Sequence, residues 1–416
     1  MGPSVAPRTE RQVIAAMEEL VLLLARPQDI VILRRAPDSQ FLAYLQEYGL
    51  ARCRMLIVQH DDPTLDICEL ICRDPPTLAA LAAHPLRNRL RFFFYGATIA
   101  ADQLVQDTGI PNISASSDVT HRVNDKCFSS RLTGLPHTVP SLIANSPAAL
   151  YDIATRLLQE THGKVLLKDP MGVSGRGIRM CASTAELEHY LEYLQRRSIN
   201  SCTMIVETFI EKRHDLNYQF FLHPSGRVSY YLYKEALVEG CKHLGHFTPA
   251  MPDAHIEATC RHAADVIGAA LASARYTGLV GVDGLVAQNG TVYPLLEINA
   301  RLNNSSFQWA LDQARHHGLC LLSNQVMFTL QHRPTFSEFH DRVVKALPYR
   351  TDEGLMIMNW ATVSRLREIP ARSRLMYAVF ASTRDRCLIL QQMLAQRIHT
   401  FFTSDVLSSP LCPAQG

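Results

Sequence analysis

The chain has 416 residues, 47% of them hydrophobic, with 41 basic against 39 acidic side chains and a formal net charge of +2. That apolar content excludes global disorder, and the balanced charge lacks the basic excess of a nucleic-acid binder. No apolar run reaches the length of a membrane span, no signal-peptide pattern opens the chain, and the eleven cysteines form no paired framework. The expectation is a cytoplasmic protein of several domains, with no nucleic-acid or membrane partner.

Apolar positions at helical spacing (Val13, Met17, Leu20, Leu24) predict a helix over 9–26, stopped by Pro27. DIVILRR (29–35) and MLIV (55–58) read as buried strands, with a helix around 39–48 between them. RFFFYG (91–96) reads as a further strand, followed by a helix closing on Gly109, while 74–90 gives no clear pattern. Alternating strands and helices predict a parallel α/β sheet over 28–120. Beyond it, strands are expected at 164–170 and 203–210, with a helix at 183–197. A hairpin across Pro224-Ser225-Gly226 precedes a long helix at 253–276. A second hairpin, 278–301, turns at Asn289-Gly290. After 345 the pattern is two strands, a helix at 383–397 and a frayed tail. Arg365, Arg367, Arg372, Arg374, Arg384, Arg386 and Arg397 read as a solvated helix face, with a docking surface as the alternative.

Six of the seven lysines (126, 164, 168, 212, 234 and 242) fall in one short stretch of an otherwise arginine-using chain, where a compact point charge is wanted. Lys168 ends an apolar strand and leads into KDPMGVSGRGI (168–178), whose glycines let backbone amides approach a phosphate. The pattern is neither a Walker loop nor GxGxxG. Glu207 lies on an apolar strand and, once buried, requires a hydrogen-bond partner. In GVDGLVAQNGTVYPLLEINAR, Glu297 and Asn299 are two apart on one strand, and Asp283 is on its partner strand. Two carboxylates and an amide oxygen on one face suit Mg²⁺. Arg301 continues that face. The apolar neighbours Leu295, Leu296 and Ile298 are expected to tolerate Glu297→Gln, so that turnover falls and stability does not.

The ordered set Lys126, Lys168 with its Gly-rich loop, Glu207, Asp215, Asp283, Glu297 and Asn299 resembles the ATP-grasp superfamily of carboxylate–amine ligases over about residues 120–305. In layout it is similar to peptide ligases of natural-product pathways, which carry an α/β domain ahead of the grasp. The resemblance implies an α/β protein with three parts. These are an N-terminal α/β (pre-ATP-grasp) domain at 1–120, an ATP-grasp domain at 121–345 and a small β/α extension at 346–416. It implies ATP and Mg²⁺ as cofactors, with Mn²⁺ as the alternative ion. Lys126 and Lys168 would touch phosphates, and Ser174, Gly175 and Gly177 would form the lid. Glu207 to Ile210 would meet the adenine and Asp215 the ribose. Asp283, Glu297 and Asn299 would hold the metal, and Arg301 would be catalytic, with Lys234 at the acyl site. The implied activity activates a carboxylate as an acyl phosphate and joins it to an amine. The implied substrates are small carboxylates and amines such as amino acids, or a carrier protein, in a homodimeric enzyme. Acyl transfer to a carrier-protein thiol, a small-molecule kinase on the same ATP site, and a non-catalytic nucleotide sensor are the alternatives.

Overall fold

The computed structural model describes residues 8–161, 163–172, 177–196, 203–239, 242–250, 253–313, 318–350 and 352–403. The expected tail, 404–416, lies outside them, as does most of the Gly-rich loop. The chain divides into two units, one made of Met1–Leu70 with Ala310–Gly416 and the other of Ile71–Trp309.

In the first unit the predicted amino-terminal helix is α-helical over Arg8–Ala16 and tightens to a 3₁₀ helix over Met17–Leu23. Two strands, β1 (Ile30–Leu33) and β2 (Arg54–Ile57), pair in parallel. Between them the helix Ser39–Glu47 starts where the Asp38 carboxylate accepts the Gln40 and Phe41 amides.

The second unit opens with helices that the sequence left unread. Pro75–Ala82 starts on a proline, with Asp74 capping it from Thr77 N. The strand expected at 91–96 does not form. Phe92 alone makes a β-bridge, to Asn112, and the aromatic run continues as a loop. The parallel sheet expected across 28–120 is therefore two strands and one bridge. The helix Ile99–Thr108 is capped by Thr98 and closes on left-handed Gly109, as its sequence predicts.

Four antiparallel strands follow: β3 (Ser141–Ala144), β4 (Val165–Lys168), β5 (Ile178–Cys181) and β6 (Met204–Thr208), ordered β3-β6-β4-β5. Leu150, Ala154 and Leu157 of helix Pro147–Thr161 and Leu187 of helix Thr184–Arg196 share a core with Val165, Leu167 and Val206. Next come β7 (Lys212–Leu222), β8 (Val228–Glu239), β9 (Lys242–Thr248), β10 (Gly278–Ala287) and β11 (Val292–Asn299), side by side as β11-β10-β7-β8-β9. Helix Ala254–Ser273 lays Cys260, Ala264, Ile267 and Leu271 into one core with Leu216, Tyr218, Phe220 and Leu222. Strand alternation then leaves Asp215, Asn217 and Gln219 on the opposite face, and that face carries the site.

The chain returns to the first unit with β12 (Cys320–Leu330), β13 (Gly354–Ile357) and β14 (Ala371–Ala381), ordered β12-β14-β13 and antiparallel. The closing helix, Arg384–Thr403, buries Cys387, Leu390, Leu394, Ile398 and Phe402, and Phe402 stacks on Phe328 with ring centres 4.0 Å apart.

Candidate active site

The turn at Asn289-Gly290 sets the register of β10 against β11. Asp283 lies opposite Glu297, and Gly281 opposite Asn299. On the other edge of β10, Asp283 faces Asn217 of β7, which in turn faces Lys234 of β8. One row across four strands thus reads Lys234, Asn217, Asp283, Glu297, and the next row reads Gln219, Gly281, Asn299.

Both oxygens of Asp283 accept amide N–H bonds, Oδ1 from Asn217 at 2.7 Å and Oδ2 from Asn299 at 3.0 Å. Even so its carboxyl is pushed up to about 6. Burial is the largest cause and the facing Glu297 charge the next, against the lowering effect of the two amides and Arg301. Glu297 pairs with the buried Lys126 at 3.1 Å. The Asn217 side-chain oxygen is buried and accepts no hydrogen bond.

This arrangement fits a divalent cation. The donors are hard oxygens and two carboxylates face each other at a cost, while the amide oxygen of the set, Asn299 Oδ1, is turned to the Arg301 guanidinium. Asp283, Glu297 and Asn299 would hold it. Among the described residues no group of three or more His, Cys, Asp or Glu side chains could hold a metal. The set here is completed instead by an amide.

Lys126 begins the short helix Lys126–Ser130, capped by Asp125. Its backbone N–H donates to Pro170 O at 3.0 Å and its ammonium to Gly172 O, so it ties the start of the Gly-rich segment to Glu297. On β4 and β6, Glu207 faces Leu166 and Lys168 faces Ile205. The two charged side chains are diagonal neighbours and form a buried ion pair. Glu207 therefore has the partner that its burial demands. Gly177 sits at φ +82°, and a Cβ there would stand 2.8 Å from Asp169 Cβ, so the loop's return requires glycine. Ser174 and Gly175 lie outside the described residues. Ile210 is half-buried in the connection between β6 and β7. Asp215 shares the Asn217 face and pairs with Lys212 at 2.6 Å.

Lys234 is 1% exposed and donates to Ser305 O at 2.6 Å and Ser305 Oγ at 3.1 Å. Arg301 lies beyond the end of β11. Its guanidinium folds back to Asn299 Oδ1 at 3.0 Å and also reaches Leu302 O at 3.2 Å.

Sequence reasoning missed three polar residues of this face. Asn217 holds Asp283. Gln219 donates to Asn303 Oδ1 at 3.0 Å and Ser306 Oγ at 2.9 Å. Asn303 crosses directly over Gly281, where any Cβ would collide with its amide nitrogen. The polar–apolar alternation Asp215, Leu216, Asn217, Tyr218, Gln219 is the signal that would have found the first two.

The family described as the pre-ATP-grasp domain matches residues 17–110. The ATP-binding domain of the carbamoyl-phosphate synthase L chain matches residues 136–310. A curated relative, the [butirosin acyl-carrier protein]--L-glutamate ligase of Niallia circulans, is 24% identical over 365 residues, covering 84% of this chain and 80% of its own. Among solved structures, N5-carboxyaminoimidazole synthase of Aspergillus clavatus is similar at 13% identity and TM-score 0.55. That match covers 89% of this chain and 98% of the other. Biotin carboxylase of Campylobacter jejuni is similar at 16% identity and TM-score 0.57, covering 93% and 89%. Among the described residues no helix is long and apolar enough to cross a membrane. The chain thus carries a pre-ATP-grasp domain followed by an ATP-grasp ATP-binding domain.

Proposed function

We propose that the chain is an ATP- and Mg²⁺-dependent ligase that activates a carboxylate as an acyl phosphate. The observation that carries this is the facing pair Asp283 and Glu297, with Asn299 and Arg301 beside them and Lys126 joining them to the Gly-rich segment. Lys126 and Lys168 hold phosphate oxygens as point charges, and Asp215 takes the ribose hydroxyls. Asp283, Glu297 and Asn299 hold the cation, which supplies charge neutralisation on the phosphates when bound. Arg301 orients the carboxylate and the phosphoryl group that it receives. A carboxylate oxygen attacks the γ-phosphorus and the bond to ADP breaks. The acceptor then attacks the acyl carbon, inorganic phosphate leaves with the electron pair, and the acceptor loses its proton.

An amine is the acceptor in this reading. A carrier-protein acceptor is the second reading, supported by the name of the curated relative, which joins glutamate to an acyl-carrier protein. The test is ADP release with single carboxylic acids, with hydroxylamine added to trap an acyl phosphate as its hydroxamate. Acid-dependent ADP and hydroxamate together are expected. ADP release without any acid, or a phosphorylated hydroxyl as the product, would overturn the ligase reading.

A further inference from the structure

Asn217 of β7 is 2% exposed and stands between two charged neighbours in the row across the sheet, Lys234 of β8 on one side and Asp283 of β10 on the other. A buried amide between two charges can turn either end to either neighbour. Here Nδ2 donates to Asp283 Oδ1 at 2.7 Å, while the Lys234 ammonium donates to Ser305 O and Oγ. Committing the N–H end to Asp283 leaves Asn217 Oδ1 buried with no donor. For stability alone the two ends nearly cancel. A hydrogen bond to a charged group and an unpaired buried oxygen are of similar size and opposite sign. A side chain kept half satisfied in a core calls for a reason other than stability, and the satisfied end supplies it.

That end fixes a carboxylate. The other oxygen of Asp283, Oδ2, accepts from Asn299 at 3.0 Å, but Asn299 belongs to the cation set and turns its own oxygen to Arg301. Asn217 lies on the far side of Asp283 from Glu297, two strands away from it. It therefore grips Asp283 from outside the set, without standing where the cation would sit. Its neutrality matters as much as its place. Glu297 is already partnered by the full positive charge of Lys126. A lysine at 217 would neutralise Asp283 in the same way, whereas an amide orients the carboxylate and leaves its charge for a metal ion.

We propose that Asn217 is a positioning residue that acts through Asp283 and sets the affinity of the site for its divalent cation. The proposal rests on the cation set of the ligase reading and adds to it a residue that does not touch the ion.

The experiment is a calorimetric titration of the full chain, carrying equimolar β,γ-methylene-ATP, with Mg²⁺, corrected by a titration of the analogue alone. It compares the native chain, Asn217→Leu, Asp283→Asn and the double variant. Leucine keeps the branched shape of asparagine and has no donor. Asn217→Leu is expected to weaken Mg²⁺ binding about 10–100-fold, the usual effect of removing the partner that holds a ligand. Its affinity for the analogue in chelator is expected to stay within about twofold of native. In the Asp283→Asn background the same substitution is expected to change Mg²⁺ affinity by less than about twofold, since no carboxylate remains to be held. Native Mg²⁺ affinity in Asn217→Leu would overturn the proposal. So would equal weakening in both backgrounds, or a parallel loss of analogue binding in chelator, each of which marks a merely structural residue. If Asn217→Leu does not melt cooperatively, Asn217→Ala, which adds no apolar atoms beside Asp283, takes its place in the same cycle. A native chain that binds no Mg²⁺ would overturn the cation set and this proposal with it, and the native titration alone shows that outcome.

Discussion

Each unit buries a cluster of charges, and the two clusters are built on opposite logic. In the first unit Arg34 donates to Glu18 and Asp61 at 3.0 Å each and to the Asp62 and Leu65 carbonyls. Glu19, 0% exposed, accepts the Trp360 and Ala361 amides at 2.6 and 2.7 Å and faces Arg365 at 3.8 Å. Burial raises Glu18 and Glu19, and the next cause for each is an arginine that lowers it. In the second unit burial raises Asp283 and the next cause, Glu297, raises it further. Charges that answer one another hold a fold together. In the second unit the neighbour of Asp283 is another carboxylate, whose own partner is Lys126, and a cation between the two carboxylates would relieve Asp283.

The comparison breaks if the first cluster is not structural. Glu19→Ala leaves Arg365 facing no carboxylate at Glu19's place and two helix-end amides unpaired. Losing one partner of a buried pair costs about 3–5 kcal/mol. A denaturant melt is expected to show that loss, with ADP release per folded molecule little changed. A loss under about 1 kcal/mol would place the cluster among solvated surface pairs.

Glu297→Gln probes the other side. Removing one charge from the cation set is expected to cut ADP release roughly 10²–10³-fold, the size seen when one preorganised charge partner is lost. The sequence reading expected stability to be spared. The structure changes that expectation, because Lys126 is 5% exposed and pairs with Glu297. The variant is expected to melt at a lower temperature, since a buried ammonium loses its counter-charge. Full activity would remove the metal assignment and with it the ligase reading.

How much of this was legible differs between elements. The pairing of Asp283 with Glu297 and Asn299 was readable because the turn signal and the two-residue spacing lie within one short hairpin. The link from Lys126 to Glu297 and the pair Lys168–Glu207 were not, since each joins distant segments whose meeting depends on sheet order. Asn217 and Gln219 were hidden as ordinary polar positions of an alternating strand. RFFFYG misled for a chemical reason. Aromatic residues favour strands, but here only Phe92 finds a bridge partner and Tyr95 O bonds Leu302, a distant contact that a propensity pattern cannot foresee. β12 was missed: its apolar run carries Ser323, Asn324 and Gln325, which blur the period.

The smallest expected effect is on pH, and its sign separates Asp283 from Glu353. Glu353 of the first unit is held below the usual carboxylate range by hydrogen bonds from Arg386. Its contribution to stability is present above the ordinary glutamate value and is lost as pH falls through the lowered one. Asp283 runs the other way. Its folded value, about 6, stands above the unfolded 3.8, so the folded state binds the proton more tightly. Ionised Asp283 therefore costs stability above pH 6, and that cost is relieved as pH falls toward 4. With chelator present, Asp283→Asn is expected to melt higher than the native chain at pH 7.5, by on the order of 1 kcal/mol, since the buried charge facing Glu297 is gone and Asn217, whose Oδ1 has no partner, can turn to accept from the new amide. The gap should close as pH falls through 6. Adding Mg²⁺ at pH 7.5 is expected to stabilise the native chain and leave Asp283→Asn unmoved, reversing their order. A native chain that gains nothing from Mg²⁺, or an Asp283→Asn chain less stable at pH 7.5 in chelator, would mean that the facing carboxylates are already compensated within the fold.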